Sequence, residues 1–571
     1  MQSAPYPRAW GQILGSALAL SVSIFLLVPS FFYQTQAASI ALPFGNFLLL
    51  GSLVGALLAF TLAAIAILVS RWLDLSRLYS ALAIAITVKA IFLASYVPLL
   101  DGDVQFPSIQ SATGIWSAVS LLIALVLGFA ATFVFNLRAG PVLVAVLVFS
   151  LQPLLDTRNW SWSRSALSSQ KSVEPDALLS FSKSKHNVLI VLIDTFSSDV
   201  FAEILEEKEK FRQEFAGFIY FYNAISYAPY TMMSMQNVYS GREYNGGDIV
   251  KIYESIRSDS LFADFEKNGG QTTLGGFYFF RKCPAQECWT ENEILGTTPI
   301  DTSILDYIEL LENGLLRISP TFLQGQIYNS GNGRLGKYFD PDKEPGRISA
   351  EVISEFTQKL QAIESGPQLK FLHLMTTHSP LVLDDHCRTV DEMSHQRRNY
   401  KKQATCAVRG LVAMLAALKA SNVYDNTTIV LLGDHGASIV GRKPDRRFFD
   451  AVAPTVGRVG RFRPVLAVKP AGADGPFSVS GAPAQLGDIR KTLCALSSDC
   501  LASVPGESLF SLSSDADRER PFVDYDNPTV VRSAKESGEI PERLLTRYTI
   551  GGSLESLYET YDPGAVSKHT R

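Results

Sequence analysis

Nearly charge-free apolar runs cover residues 10–33, 46–69, 78–100, 112–135 and 140–155. Crossing a bilayer takes about 20 residues, with a lower limit near ~17, so the pattern predicts five transmembrane helices, the fifth the shortest. A cleaved signal peptide does not account for the first run, whose apolar core is too long and which four further spans follow. After residue 156 the pattern changes, and short apolar runs alternate with charged, aromatic and turn residues as in a water-soluble domain.

The positive charges between the runs orient them. Arg8 precedes the first span, Arg71 and Arg77 lie between the second and third, and Arg138 lies between the fourth and fifth. The loops at 34–45 and 101–110 contain no Lys or Arg. The positive-inside rule then puts the N-terminus in the cytoplasm, and an odd number of spans delivers everything beyond about residue 156 to the opposite side. Lys89, inside the third run, either meets a polar partner such as a lipid headgroup or Asp101, or snorkels towards the cytoplasm.

Residues 157–186 read as a linker along the membrane surface, with Trp160 and Trp162 suited to the interface. The folded part then opens on Asn187-Val-Leu-Ile-Val-Leu-Ile-Asp194, a short continuous apolar run of the kind that forms a buried parallel strand. Similar runs stand at 217–222, 370–375 and 427–432, and helical patterns at 350–363 and 403–420 separate them. The alternation predicts a three-layer α/β sandwich with a mainly parallel central sheet. The expected organisation is a transmembrane domain at 1–156, a linker at 157–186, a catalytic domain at 187–515 and a C-terminal extension at 516–571 with a small strand and helix and no recognisable chemistry.

Composition sharpens this picture. Hydrophobic residues make up 47% of the 571, as a membrane part requires, and a net charge of −4 without basic runs excludes a nucleic-acid footprint. All six cysteines fall in the exported part as near neighbours: Cys283 with Cys288, Cys387 with Cys406, and Cys494 with Cys500. Without Cys-x-x-Cys spacings a zinc knuckle is disfavoured, and three local disulfides in an oxidising compartment are expected, although spacing alone does not select the pairing.

In open α/β sheets ligands bind beyond the carboxyl ends of the strands. Three predicted strands end in polar residues there: the first at Asp194, another runs through Thr376-Thr377 into His378, and the last ends in Gly433-Asp434-His435-Gly436. Asp194 with Asp434 and His435 offers three ligands for Zn²⁺ or Mn²⁺ with a position left open. Singly each has a plainer reading, Asp194 as a helix cap and His378 as a hydrogen-bonded loop residue.

Directly after the run at 217–222 comes Asn223-Ala-Ile-Ser-Tyr-Ala-Pro-Tyr-Thr231-Met-Met-Ser234, continuing to Ser240-Gly241-Arg242. A strand-end carboxylate, a hydroxyl about ten residues before a Ser/Thr-Gly-Arg turn, and a late Asp-His-Gly together resemble the alkaline phosphatase and sulfatase superfamily over about residues 187–515. The resemblance implies an alkaline phosphatase-like fold with Thr231 as nucleophile and metal ligand beside Asp194, Asp434 and His435. It gives His378 a role at the phosphoryl group as binder or acid, and Asn223 and Arg242 an orienting role. Formylglycine sulfatases need Cys or Ser at this position followed by Pro and Arg, whereas Thr231-Met-Met-Ser-Met points to phosphoryl chemistry.

Five spans before such a domain look like the lipid A phosphoethanolamine transferases, the lipoteichoic acid synthases and the glucan phosphoglycerol transferases. Thr-x-x-Ser, Thr377-His378-Ser-Pro380 and the clustered cysteines lean towards the first group. The resemblance implies a multi-pass protein of the bacterial inner membrane with a periplasmic catalytic domain. Its donor would be a phospholipid, phosphoethanolamine favoured over phosphoglycerol, and its acceptor a cell-envelope glycan or glycolipid. No His occurs between His435 and His569, where the phosphoethanolamine transferases place one, so one divalent metal, zinc or manganese, is implied and a second is doubtful. Asp199 is a weaker ligand candidate and a solvated carboxylate by its plainer reading. The alternatives are a sulfatase or phosphodiesterase passing the group to water, and a sensor or scaffold with a degenerate site.

Overall fold

The computed structural model describes residues 6–36, 42–69, 75–94, 110–137, 139–150, 176–277, 283–296, 299–329, 332–333, 335, 344–437, 460–496, 503–525, 530, 539–551 and 566–569. Trp160, Trp162, Asp101 and Cys500 lie outside them. The chain divides into two compact units, one of residues 1–172 with 298–343 and one of 173–297 with 344–571.

In the first unit the expected apolar runs are helical, at Tyr6–Gln36 with a π turn over Ser23–Leu27, Phe44–Val69, Leu75–Ile91, Gln110–Val134 and Ala139–Ser150. Three contain stretches long and apolar enough to span a bilayer, Trp10–Tyr33, Phe44–Val69 and Ile115–Val134, while Leu75–Ile91 has 17 residues and Ala139–Ser150 has 12. Arg397–Ala420 also meets that length and apolarity. It is nevertheless a soluble-core helix: Tyr400, Ala404, Val408 and Leu411 are buried in the second unit's core, and Arg397 and Lys401 pair with Glu203. The unit also contains the helices Pro299–Ile318 and Thr321–Ile327, which fall inside the 187–515 stretch that the sequence pattern assigns to the catalytic domain.

The second unit is built on eight strands: β1 Asn187–Ile193, β2 Ile219–Phe221, β3 Gln271–Gly276, β4 Glu287–Trp289, β5 Gln368–Leu374, β6 Thr427–Leu432, β7 Leu466–Lys469 and β8 Ser478–Ser480. Their order is β8-β2-β7-β6-β1-β5-β3-β4, and only β7 runs antiparallel to its neighbours. Side chains alternate across β1, so Leu189, Val191 and Ile193 enter one apolar core while Val188, Ile190 and Leu192 enter the other. Burial on both faces makes β1 continuously apolar and gives the three-layer sandwich.

The fold begins before residue 187. Ser180–Ser182 pairs in parallel with Gln361–Ile363, and Leu178, Leu179 and Phe181 enter the core. At the other end, Arg520–Tyr525 and Leu545–Ile550 form an antiparallel pair that Val566–His569 extends. Disulfides join Cys283 to Cys288 and Cys387 to Cys406, and Cys494 is also disulfide-bonded.

Candidate active site

Three adjacent central strands, β6, β1 and β5, end side by side and deliver the candidate residues together. Asp194 follows β1, and its N–H donates to Leu374 O at the end of β5, 2.8 Å away. The next residue, Thr195, has φ 57°, in the left-handed region that a non-glycine residue adopts at a cost. That turn aims its N–H at Asp434 Oδ1, 2.9 Å away, and the same oxygen accepts from His435 N at 2.8 Å. The Thr377 hydroxyl donates to Asp194 O, tying the three strand ends together.

Asp194, Asp434 and His435 are buried, and one ligand atom from each lies within 4.8 Å of the others. Asp434 Oδ2 and His435 Nε2 are 3.3 Å apart, close to the edge of about 3.3 Å that a tetrahedron of ligands about 2.0 Å from zinc requires. His435 Nδ1 faces Gly436 O at 2.8 Å. A carbonyl only accepts, so Nδ1 carries the proton and the Nε2 lone pair faces the cluster. Asp194 Oδ1 and Asp434 Oδ2 are buried without a hydrogen-bond partner among the described residues. Buried carboxylate oxygens left in that state are costly, and a divalent cation is the group that fits this donor set.

Electrostatics agree. Burial and the Asp194 charge push the Asp434 carboxyl up. Burial also acts to raise Asp194, but the hydrogen bond from His373 and the fields of His378 and His435 outweigh it and hold this carboxyl low. Two carboxylates so close cannot both ionise cheaply without a cation between them.

Thr231 opens the helix Thr231–Ser240 after the extended Tyr230, and no side chain caps its first turn. Its half-exposed hydroxyl donates to Asp194 Oδ2 at 3.2 Å. The uncapped N–H groups and the helix dipole favour negative charge at this oxygen. Ser234, one turn on, donates to Asp434 O and fixes the helix to the β6 end. His378 is half-buried; its Nδ1 donates to Ser379 O at 2.7 Å, and its field reaches Asp194. The structure therefore brings Asp194, Thr231, His378, Asp434 and His435 together.

Three further candidates are engaged by other partners. Asp199 pairs with Arg397 at 2.6 Å. Arg242 pairs with Asp259 at 2.7 Å beyond the other end of the helix that Thr231 opens. Asn223 is held by Gly481 O at 3.0 Å and by the buried Arg520.

Sequence reading missed His373. It lies on β5, buried, with Nε2 3.3 Å from Asp194 Oδ2. A histidine at a buried position near the end of a strand that leads into His378 was the available signal. His395, whose Nδ1 is 3.1 Å from Ser379 Oγ, joins the rim of the site from a distant loop. The C-terminal extension also reaches this region: Tyr525 lies 5.2 Å from Tyr230, whose ring is set edge-on to His435.

Residues 186–455 match the family model described as Sulfatase. No curated protein matches the chain. Among solved structures, the lipoteichoic acid synthase LtaP from Listeria monocytogenes is 14% identical, with 60% of this chain and 79% of that chain covered and a TM-score of 0.36. The C-terminal periplasmic domain of EcEptC from Escherichia coli is 12% identical, with 60% and 90% covered and a TM-score of 0.35. The phosphonate monoester hydrolase SpPMH from Silicibacter pomeroyi is 15% identical, with 65% and 87% covered and a TM-score of 0.38. The Asp194, Asp434 and His435 cluster at the strand ends lies within residues 186–455, the stretch that is similar to the Sulfatase family model.

Proposed function

We propose that the protein is a membrane-anchored, metal-dependent transferase that moves a phospholipid headgroup, phosphoethanolamine favoured, to a cell-envelope glycan or glycolipid through a phosphorylated Thr231. The observation that carries this reading is the Thr231 hydroxyl, 3.2 Å from Asp194 at an uncapped helix N-terminus, where formylglycine sulfatases would need Cys or Ser followed by Pro and Arg. The apolar N-terminal helices supply the anchor and support an extracytoplasmic position at the inner membrane, where donor lipid is concentrated and diffusion is two-dimensional.

A divalent cation, zinc or manganese, held by Asp194, Asp434 and His435 with Thr231 supplies Lewis acidity that favours the ionised hydroxyl and offsets charge on the phosphoryl oxygens. Thr231 loses its proton to solvent, Oγ1 bonds to phosphorus, and the bond from phosphorus to the diacylglycerol oxygen breaks. His378 donates a proton to the departing alkoxide as general acid. In the second half-reaction His378 takes the proton from the acceptor hydroxyl, whose oxygen bonds to phosphorus as the bond to Oγ1 breaks.

Intact-protein mass spectrometry tests this reading. The full-length chain, loaded with Zn²⁺ or Mn²⁺, is incubated with phosphatidylethanolamine or phosphatidylglycerol beside Thr231→Ala. A headgroup-sized mass increase on the parent chain only, with the variant retaining its metal, is expected. Turnover by Thr231→Ala at the parent rate would sink the scheme. Release of free phosphorylated headgroup in the presence of acceptor would instead favour a hydrolase.

A further inference from the structure

Chain from the exported part folds onto the apolar helices. Tyr307 Oη donates to Phe25 O at 2.7 Å, Arg317 Nε to Ala90 O at 3.0 Å, and Thr321 N to Ser117 Oγ at 3.1 Å. Gly314 lies so near Val28 that an added Cβ would come within 2.6 Å of its side chain. Phe25 and Val28 lie in the second half of the first helix, Ala90 at the end of the third and Ser117 near the start of the fourth. The arginines between the runs put each of these helix ends on the extracytoplasmic side. The insertion therefore meets the bundle at its outer-leaflet ends.

Two features of this insertion point to a ligand. The Arg317 guanidinium is stacked 4.7 Å from the Phe31 ring centroid, and among the described residues Ala90 O is the one hydrogen-bond acceptor it meets and no carboxylate pairs with it. Its two terminal nitrogens thus keep their donors in a half-buried place, the fork that phosphate oxygens match. Glu312, on the same helix, instead accepts from Leu335 N. Next to Thr321, which is bonded to Ser117, Phe322 and Leu323 are 60% and 43% exposed, as are Trp116 at 73% and Ile115 at 77% beside Ser117. Large apolar side chains turned outward from two touching helices form a surface for acyl chains rather than for water.

We propose that residues 299–327 form a phospholipid-binding element in the outer leaflet, where Arg317 holds the headgroup phosphate and Phe322 and Leu323 lie against the acyl chains. The apolar helices are then part of a lipid site as well as an anchor. The inference rests on the topology of the helices and is independent of chemistry at Thr231.

Native mass spectrometry of the full-length chain, delipidated in detergent and titrated with dioleoyl phosphatidylethanolamine, tests it. The parent and Thr231→Ala bind lipid alike, Arg317→Gln binds about tenfold more weakly, as loss of a charge-assisted contact implies, and Arg317→Lys falls between. Phe322→Ser alters an exposed side chain and spares the packing of Arg317; it weakens lipid binding without changing melting. Inorganic phosphate at millimolar levels leaves the lipid bound. Parent-like lipid binding by both Arg317→Gln and Phe322→Ser, or displacement by phosphate alone, overturns the proposal. Loss of the Thr231 adduct with Arg317-dependent binding intact would refute the transferase reading and leave this one standing.

Discussion

The helix Thr231–Ser240 has a cluster of charged groups at each end, and the two are built on opposite principles. At its C-terminus, the buried Arg490 donates from Nε to Asp264 at 2.7 Å and from Nη1 to Ser240 O at 2.8 Å, and it pairs with Asp259 at 2.8 Å. Arg242 pairs with the same Asp259. Positive and negative groups face one another, and the Arg490 donors are used. At its N-terminus, two buried carboxylates lie together with histidines around them, and one oxygen of each has no hydrogen bond among the described residues. A cluster that exists for the fold satisfies itself, whereas this one is complete only with a cation that the chain does not supply.

Substitution at each end breaks the comparison in opposite directions. Asp434→Asn should bring metal content, read by inductively coupled plasma mass spectrometry, from about one per chain to near none. The same change should raise the melting temperature of the metal-free protein, because it removes one of two like charges buried together. A metal-free melting temperature lowered by Asp434→Asn would show the pair to be structural. Arg490→Gln is expected to cost about 3 kcal/mol in denaturant unfolding, since it leaves Asp264 without its partner, while metal content stays unchanged. Metal loss in that variant at temperatures where it remains folded would contradict the division between the two ends.

How much of this was legible in the sequence follows the same division. β1 and β6 stand within a residue of where the apolar runs put them, because strands buried on both faces leave an uninterrupted hydrophobic signature. β3, Gln271–Gly276, contains two threonines and two glycines, and β4 has only three residues, so neither carries that signature. Asp194, Thr231, His378, Asp434 and His435 could be found because each follows or opens an element at a strand end. Arg242 could not be judged, since its partner Asp259 is set by how two helices pack. The 299–343 insertion was invisible for a related reason: Pro299–Ile318 is amphipathic in the ordinary way, and nothing local says which unit its apolar face will join.

His373 sharpens the comparison at a smaller scale. Its Nε2–H donates to Asp194 Oδ2, the same oxygen that accepts from Thr231, so it orients the carboxylate without being counted among the clustered ligands. Outer partners of this kind are worth about 10–100-fold in metal affinity. His373→Gln should weaken zinc binding, measured by competition with a chelator, by an amount in that range, with formation of the Thr231 adduct slowed and recovered at high metal. A lowered melting temperature with unchanged zinc affinity would make His373 merely a core residue.

The smallest expected effect lies one layer further from the metal. Glu291 accepts from the Ser349 hydroxyl, which in turn accepts from Met375 N just beyond β5. Burial pushes the Glu291 carboxyl up to about 7 against the opposing Ser349 hydrogen bond and His373 field. Its ordinary value is 4.5, so between that pH and about 7 the native chain retains a proton that the unfolded chain has released. Stability from this group is therefore complete below pH 4.5 and declines as pH rises towards 7. Glu291→Gln keeps the size and a hydrogen-bonding oxygen but has no proton to lose. Urea unfolding of both chains in chelator, across pH 5 to 8, should show the parent weakening relative to the variant as pH rises, with the gap levelling off above about 7. A gap constant with pH would mean that Glu291 is ionised throughout and that water reaches it; a gap that closes between pH 5 and 7 would reverse the assigned direction of its shift.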